Sequence, residues 1–538
     1  MPPRPRFSRA AGLIVGLLAL SSAAALAAPP AKPHKAGAQK KKGKAPKSPA
    51  GKAPLAPAAP STSTPTPVTA PLALELDVRR ATLANGLRVV VNVDHTSPTV
   101  AIAVVYDVGA RDEERGKSGF AHLFEHMMFQ GSGNVAKGEH SRLIAGHGGT
   151  LNGTTNNDRT NYFEVLPENQ LSLGLWLEAD RMRSLDVSQD NFENQRKVVE
   201  EEYRMRVSNA AYQPSSLRLD ELVYQGYWPY EHSVIGSMAD LDGARLEWVK
   251  AFHAGHYGPN DAVLTIAGDV DPDAALALVH ASFDAIPRAT VAPFVDPGLP
   301  EQTSQRTAVV KDDHARTPGL LLGWAIPPDR SADHYAVELA GDILADGESS
   351  RLHQLLVRDK ALAQWVSARA QHRRGPDLFR VDAVLADGAK PADVEKLIEG
   401  EIKALATRGP TAAELNKVRR RVEASFVLQL QSNLARARRL GELELFHGDA
   451  RLLAGELPRY LAVTGDDIKR AAAQYLGPTR RSVVETYPAE GADKDRADKT
   501  DKTDKTDRPH PAGDSAPHAP HAAAPKKGAA KPRKPKKP

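Results

Sequence analysis

The stretch Ala121-His122-Leu123-Phe124-Glu125-His126-Met127-Met128-Phe129-Gln130-Gly131-Ser132 decides how the first half of this chain folds and what it can hold. Its apolar residues recur at helical spacing and Gly116-Lys117-Ser118-Gly119 supplies a start, so a helix is expected from about Ser118 to Phe129. Successive residues of an α-helix turn by about 100°, which sets His122 and His126 one turn apart on one face with Glu125 beside them. Phe120, Leu123, Phe124, Met127, Met128 and Phe129 flank them, so the helix should be mostly buried. Buried imidazoles need partners. Two histidines satisfied separately by neighbouring groups would meet that need, and so would one divalent metal shared between them. The H-x-x-E-H spacing, the reverse of H-E-x-x-H, favours the metal, because it sets a carboxylate next to the open coordination position.

A catalytic zinc ion normally takes three protein ligands and a water. The chain has no cysteine, which excludes disulfides, thiolate nucleophiles and cysteine-based zinc or iron–sulfur sites. The third ligand must be His, Asp or Glu. The candidates are His140, His147 and the run Glu200-Glu201-Glu202. Physical chemistry alone does not choose among them, and for most of the Glu run a solvated helix face is the plainer reading. One Zn²⁺ per chain is expected. Zinc acidifies water and polarises a carbonyl. The chemistry expected is therefore hydrolysis at a carbonyl, with Glu125 taking a proton from the attacking water and delivering it to the leaving group.

Outward from the motif, Arg80–Leu83 and Leu87–Val93 read as strands joined at Asn85-Gly86, a hairpin signal, and Thr99–Val108 as a third strand. His147-Gly148-Gly149 marks a turn before Thr150–Thr155 and Thr160–Leu166, a Thr/Tyr/Phe-rich antiparallel pair. Leu171–Arg183 and Asp190–Val207 have helical periodicity, and Ala262–Ala267 is a strand of the buried type. After Pro287, Pro293, Pro297 and Pro300 the pattern restarts. Strands are expected at Thr307–Val310, Leu320–Ile326 and Phe379–Leu385, helices at about 334–346 and 351–360, and one long helix over Ala412–Gly441. Residues 74–290, with the metal motif, and 303–488 are thus two α+β units of similar size and order.

The ends read differently. Arg4, Arg6 and Arg9 precede the apolar run Ala11–Ala25, and Ala25-Leu26-Ala27 fits a small-x-small cleavage site, so 1–27 is read as a secretory signal peptide. The protein is expected to be exported, periplasmic or secreted; the alternative is an uncleaved signal that anchors it in the inner membrane. Residues 28–73, Lys/Pro/Ala-rich and without an aromatic or an acid, and 489–538, with a D-K-T repeat from Asp498, should be a disordered linker and a disordered charged tail. The net charge of +5 belongs to these ends, which carry +3 (1–27), +8 (28–73) and +5 (489–538) and leave −11 on 74–488. A nucleic-acid groove on the core is disfavoured. The tails are expected to be solvated spacers or to contact anionic envelope polymers.

The motif and its surroundings resemble the pitrilysin family, the inverted-motif zinc peptidases that include the mitochondrial processing peptidase. The resemblance lies in VGAR (108–111), AHLFEHMMFQGS (121–132), GGTLNGTTNNDRTNYFEVLP (148–167), QRKVVEEEYR (195–204) and YGPNDAVLTIAGDVD (257–271). It continues at GESSRLHQLL (347–356) and RYLAVTGDDIKRAAAQYLGP (459–478) and so spans essentially all of 74–488. It implies an α+β fold of two similar domains, each a mostly antiparallel sheet packed with helices, and a zinc endopeptidase acting on peptides. It implies that Glu202 is the third ligand: Arg196, Val199 and Glu202 fit the family's R-x-x-V-x-x-E, 76 residues after His126. It implies that Asn152 and Gly153 lie beside the scissile bond of a substrate added as a β-strand. Many members carry a supporting Glu directly before that Arg, where this chain has Gln195.

One part of the pattern is broken. Self-sufficient members hold the developing oxyanion with an Arg and a Tyr seven residues apart. Here Arg358 is present, but Trp365, or Gln364 if one residue is dropped, stands where the Tyr belongs. Two classes of function stay open: a zinc endopeptidase of the cell envelope, and a catalytically weak or silent binding or assembly subunit. The resemblance also implies a dimer, either of identical chains or a heterodimer in which a related chain supplies the Arg/Tyr pair.

Overall fold

The computed structural model describes residues 75–489. The expected signal peptide (1–27), the linker (28–73) and the tail beyond Ala489 lie outside the described residues. The first sheet contains β1 (Val78–Thr82), β2 (Arg88–Val93), β3 (Thr99–Tyr106), β4 (Thr150–Thr155), β5 (Thr160–Pro167) and β6 (Ala262–Gly268), ordered β1-β2-β6-β3-β5-β4. The second contains β7 (Arg306–Asp312), β8 (Gly319–Ile326), β9 (Ala363–Ala370), β10 (Asp377–Leu385) and β11 (Ser482–Pro488), ordered β7-β11-β8-β10-β9. With β1 set aside, both run first, fifth, second, fourth, third. In both, the parallel pair joins the first strand to the last, and the other pairings are antiparallel. The fold is α+β, with one strand topology used twice.

Both faces of each sheet are covered, which is why β3 and β8 read as continuous apolar runs rather than alternating ones. On one face of the first sheet, Val91, Val100, Ile102 and Val104 pack with residues of α1 (Phe120–Met127) and of the helices after it, α2 (Glu139–Gly146), α3 (Leu171–Ser184) and α4 (Gln189–Tyr203). On the other face, Val90, Ala101, Ala103, Val105 and Val263 meet Ala437, Leu440 and Leu443 of the helix Asn433–His447. The second sheet mirrors this. Leu320, Leu322 and Trp324 pack with the helices Ala332–Ala345 and Pro391–Arg408, while Leu321, Leu378 and Val484 meet Leu219, Leu222 and Val223 of α5 (Gln213–Val223). Each half lends a helix to the other's sheet.

Three expected helices come out differently. The single helix expected over Ala412–Gly441 is two, Ala412–Leu430 and Asn433–His447. Ser432 separates them: its Oγ accepts the Ala435 amide at 3.3 Å as an N-cap, and the break lets the second helix cross onto the first sheet. The helix expected to reach Val207 is α-helical only to Tyr203 and continues over Arg204–Ser208 as a wider π-helical turn. The segment expected as a helix over 351–360 is π-helical from His353 to Asp359. Among the described residues no helix is long and apolar enough to cross a membrane.

Candidate metal centre

α1 begins at Gly119, whose φ of 90° is left-handed and suits glycine. The amides of Gly119 and Ala121 donate to the Glu113 carboxylate at 2.8 Å each, which satisfies helix-start donors that would otherwise be orphaned in the core. The helix so anchored holds the His122 and His126 rings with their centroids 4.9 Å apart. α4 brings Glu202 to them. Its Oε2 lies 3.1 Å from His126 Nε2 and 3.8 Å from His122 Nε2. Tetrahedral zinc with bonds of about 2.0–2.1 Å separates its ligand atoms by about 3.3 Å, and the two distances straddle that value.

The electrostatics suit a cation. Burial, helped by the neighbouring His126, pushes His122 down to about 3, so its imidazole is neutral. Burial works against an ionised Glu202, but the His126 hydrogen bond and the positive charge of Arg206 help hold it down to about 2. Neutral imidazole and ionised carboxylate are the states a metal requires. Of the candidates left open by the sequence, the structure brings Glu202 to the histidines and not the others. Glu201 is an exposed partner of Arg204, and Glu200 faces Arg196. His147 Nδ1 lies against the Leu143 carbonyl, and His140 is buried beside Glu164.

Glu125 is 8% exposed, and burial raises its carboxyl above the usual range. Its Oε2 accepts from Thr155 Oγ1 at 2.6 Å. Thr155 sits on β4, the edge strand of the first sheet, which pairs with β5 in the register Asn152↔Phe163 and Gly153↔Tyr162. A Cβ at Gly153 would stand 2.9 Å from Glu125 Cγ, so only glycine lets the strand pass this close to the carboxylate. Asn152 Oδ1 accepts the Gly153 amide at 2.8 Å. The outer edge of β4 is a template on which an extended peptide can pair.

Among the described residues, no hydrogen bond joins the remaining expected residues to His122, His126 or Glu202. Gln195 is buried and donates to Asn194 Oδ1 at 2.8 Å. No hydrogen bond among the described residues joins it to His122, whose Nδ1 is buried without a partner. Arg358, on the second unit, donates to Gln354 Oε1 at 3.2 Å. The Gln364 amide donates to Thr317 Oγ1 at 3.2 Å and the Leu385 carbonyl at 3.0 Å, and Trp365 is 40% exposed on the edge strand β9. Sequence reasoning missed two groups. Thr155 reaches Glu125 only through strand placement. Arg206 Nη1 lies 2.8 Å from Glu202 Oε1, which leaves Oε2 to a metal; its one signal was the i,i+4 spacing from Glu202.

Residues 88–227 match the family model described as insulinase (peptidase family M16), and residues 245–422 the model described as peptidase M16 inactive domain. Zinc protease PqqE of Helicobacter pylori is 30% identical over 410 residues, covering 76% of this chain and 92% of that protein. The crystal structure of a protease from Helicobacter pylori superposes with a TM-score of 0.74 at 30% identity, over 77% of this chain and 100% of the other. The mitochondrial-processing peptidase subunit beta of Blastocladiella emersonii is 24% identical over 424 residues, 76% of this chain and 88% of that protein.

Proposed function

The chain belongs to peptidase family M16, the insulinase family, and from that premise we propose that it is a zinc endopeptidase, exported to the cell envelope, that cleaves peptides or unfolded protein segments. The observation that carries the reading is the convergence of His122, His126 and Glu202, each Nε2 facing one carboxylate oxygen, with Glu125 on the same helix. Zinc held there supplies Lewis acidity, which acidifies water and polarises the scissile carbonyl. The chain's own groups do the rest. Glu125 takes a proton from the attacking water and hands it to the leaving amine, and its burial makes it a stronger base than an exposed carboxylate. Thr155 holds that carboxylate in place. The substrate adds as a strand beside β4, with Asn152 and Gly153 next to the scissile bond. Export rests on the signal-peptide reading of 1–27. The test is zinc content and cleavage of a quenched peptide by the full chain and by Glu125→Gln. The variant should keep its zinc and lose cleavage; undiminished cleavage overturns the assignment.

A second reading draws on the broken Arg/Tyr pattern. Gln364 is committed to Thr317 and Leu385, Trp365 has no hydroxyl, and Arg358 is held by Gln354. Loss of one oxyanion donor costs about 100- to 1,000-fold. In this reading the chain works as half of a heterodimer with a related chain that supplies the Arg and Tyr. The purified chain would then bind zinc but cleave slowly, and the partner would raise the rate by orders of magnitude. Brisk cleavage by the chain alone, abolished by Arg358→Ala, would point instead to a homodimer or a self-sufficient chain.

A further inference from the structure

The helix Ala332–Ala345 follows β8 as α1 follows β3, at the same place in the repeated topology. Counted from the capping residues Gly119 and Ser331, His122 and His126 are the third and seventh residues of one helix, and His334 and Glu338 the third and seventh of the other. Two more groups close on the same face: Asp329, just ahead of the helix, and His372, in the turn between β9 and β10. His334 Nε2 lies 3.5 Å from Asp329 Oδ1 and 3.8 Å from Glu338 Oε2. His372 Nδ1 lies 3.5 Å from the same Asp329 oxygen, and its Nε2 lies 3.4 Å from Glu338 Oε1. One ligand atom from each of Asp329, His334 and His372 falls within 4.8 Å of the others. We propose that Asp329, His334 and His372 form a second divalent-cation site, with Glu338 accepting from the far nitrogen of His372 and zinc the ion that two imidazoles and a carboxylate suit best.

His334 carries most of the weight. It is fully buried, and its Nε2 has no hydrogen-bond partner while facing two carboxylates. Its Nδ1 lies 3.4 Å from the Pro327 carbonyl and 3.6 Å from Asp377 Oδ2, acceptors that suit the tautomer with the proton on Nδ1 and the lone pair on Nε2. A lone pair aimed at two carboxylates is repulsive until a cation stands between them. The acids are held in place from outside the cluster: Tyr460 donates to Glu338 Oε2 at 2.6 Å, and Arg439 Nη2 lies 3.7 Å from Asp329 Oδ2. The competing occupant is a proton. As an imidazolium, His372 would pair with Asp329 and Glu338 by itself, and both push it above its ordinary value against the cost of burial.

The site has a structural consequence. The His372 side chain is 43% exposed, which gives an ion a way in, and its backbone φ of 60° is a left-handed conformation that histidine rarely adopts. The same turn reaches the first half of the chain. The Arg374 amide donates to Asp158 Oδ2 at 3.0 Å, its guanidinium to Asp107 Oδ1 at 2.7 Å, and the Gly375 amide to Tyr230 Oη at 2.8 Å. A cation on His372 and on the helix Ala332–Ala345 ties this turn down and braces the contact between the halves.

The test is metal stoichiometry on the full chain. The unsubstituted protein should bind two equivalents of Zn²⁺. His122→Ala/His126→Ala should retain one equivalent, and added Zn²⁺ should raise its melting temperature. Adding His372→Asn, a change at a half-exposed side chain, should abolish both effects, while circular dichroism checks that the triple variant is folded. One equivalent on the unsubstituted chain, lost entirely in His122→Ala/His126→Ala, overturns the proposal and assigns the cluster to a His372 imidazolium. Retention of the last equivalent after both His372→Asn and Asp329→Asn overturns it as well. If the peptidase reading of the first site is wrong but this one is right, peptide cleavage is absent while the His372-dependent equivalent remains.

Discussion

Thr155 donates to the Glu125 carboxylate, the proposed base, and a hydrogen bond to the charged form of an acid lowers its pKa. Removing it should therefore raise the Glu125 pKa further. The base works only when ionised, so Thr155→Val should move the acid limb of the kcat/KM profile to higher pH, by about one unit or less, with the plateau less affected. A limb that stays in place would mean that Thr155 does not touch the working base. The ligand assignment makes a sharper test at its neighbour. Glu202→Ala should lose the zinc of the H-x-x-E-H site, because two histidines alone are too few for a catalytic ion. Glu201→Ala removes a side chain that is 60% exposed and paired with Arg204, and should keep it. Metal analysis of the pair with the opposite result would shift the third ligand by one residue.

Elements differ in how much of them the sequence discloses. The strands β3, β6 and β8 were legible because a strand buried on both faces is apolar at every position, and α1 because its motif is local. The proposed third ligand was not legible locally. Three glutamates in a row look like a solvated face, and only the resemblance picked Glu202, which α4 then carries to the histidines. The break at Ser432 lay hidden in a run of Leu, Ala and Arg that suits one long helix, since a lone serine serves equally as a helix residue and as a cap. Ser432→Ala should cost about 1 kcal/mol, read as a lower urea midpoint with an unchanged slope; an unmoved midpoint would show that packing alone holds the break. His334 and Glu338 escaped notice for a similar reason. A histidine and a glutamate four apart are ordinary helix-surface chemistry until Asp329 and His372 are folded against them.

On the scale of the whole molecule, the exchange of helices was illegible in principle, because an amphipathic stripe records that a face is buried and not which sheet buries it. It has a thermodynamic consequence. α5 belongs to the first half by sequence, yet Leu219, Leu222 and Val223 cover Leu321 and Val484 of the second sheet. The helix Asn433–His447 belongs to the second half, yet Leu440 and Leu443 cover Val90, Val105 and Val263 of the first. Neither sheet can keep both faces dry if the other half unfolds. Polar contacts add to the coupling: the Arg374 amide donates to Asp158 Oδ2 at 3.0 Å, and Ser215 and Thr486 are 2.6 Å apart through their hydroxyls. The described core should therefore melt in one cooperative transition rather than two, in keeping with its single compact unit. Leu219→Ala and Leu440→Ala, each an emptied site in a buried cluster, should each lower that one transition by about 2–5 kcal/mol. If the halves were independent, Leu219→Ala would destabilise only the second sheet and calorimetry would resolve two peaks; a single peak that shifts as a whole in both variants is the outcome the exchanged helices require.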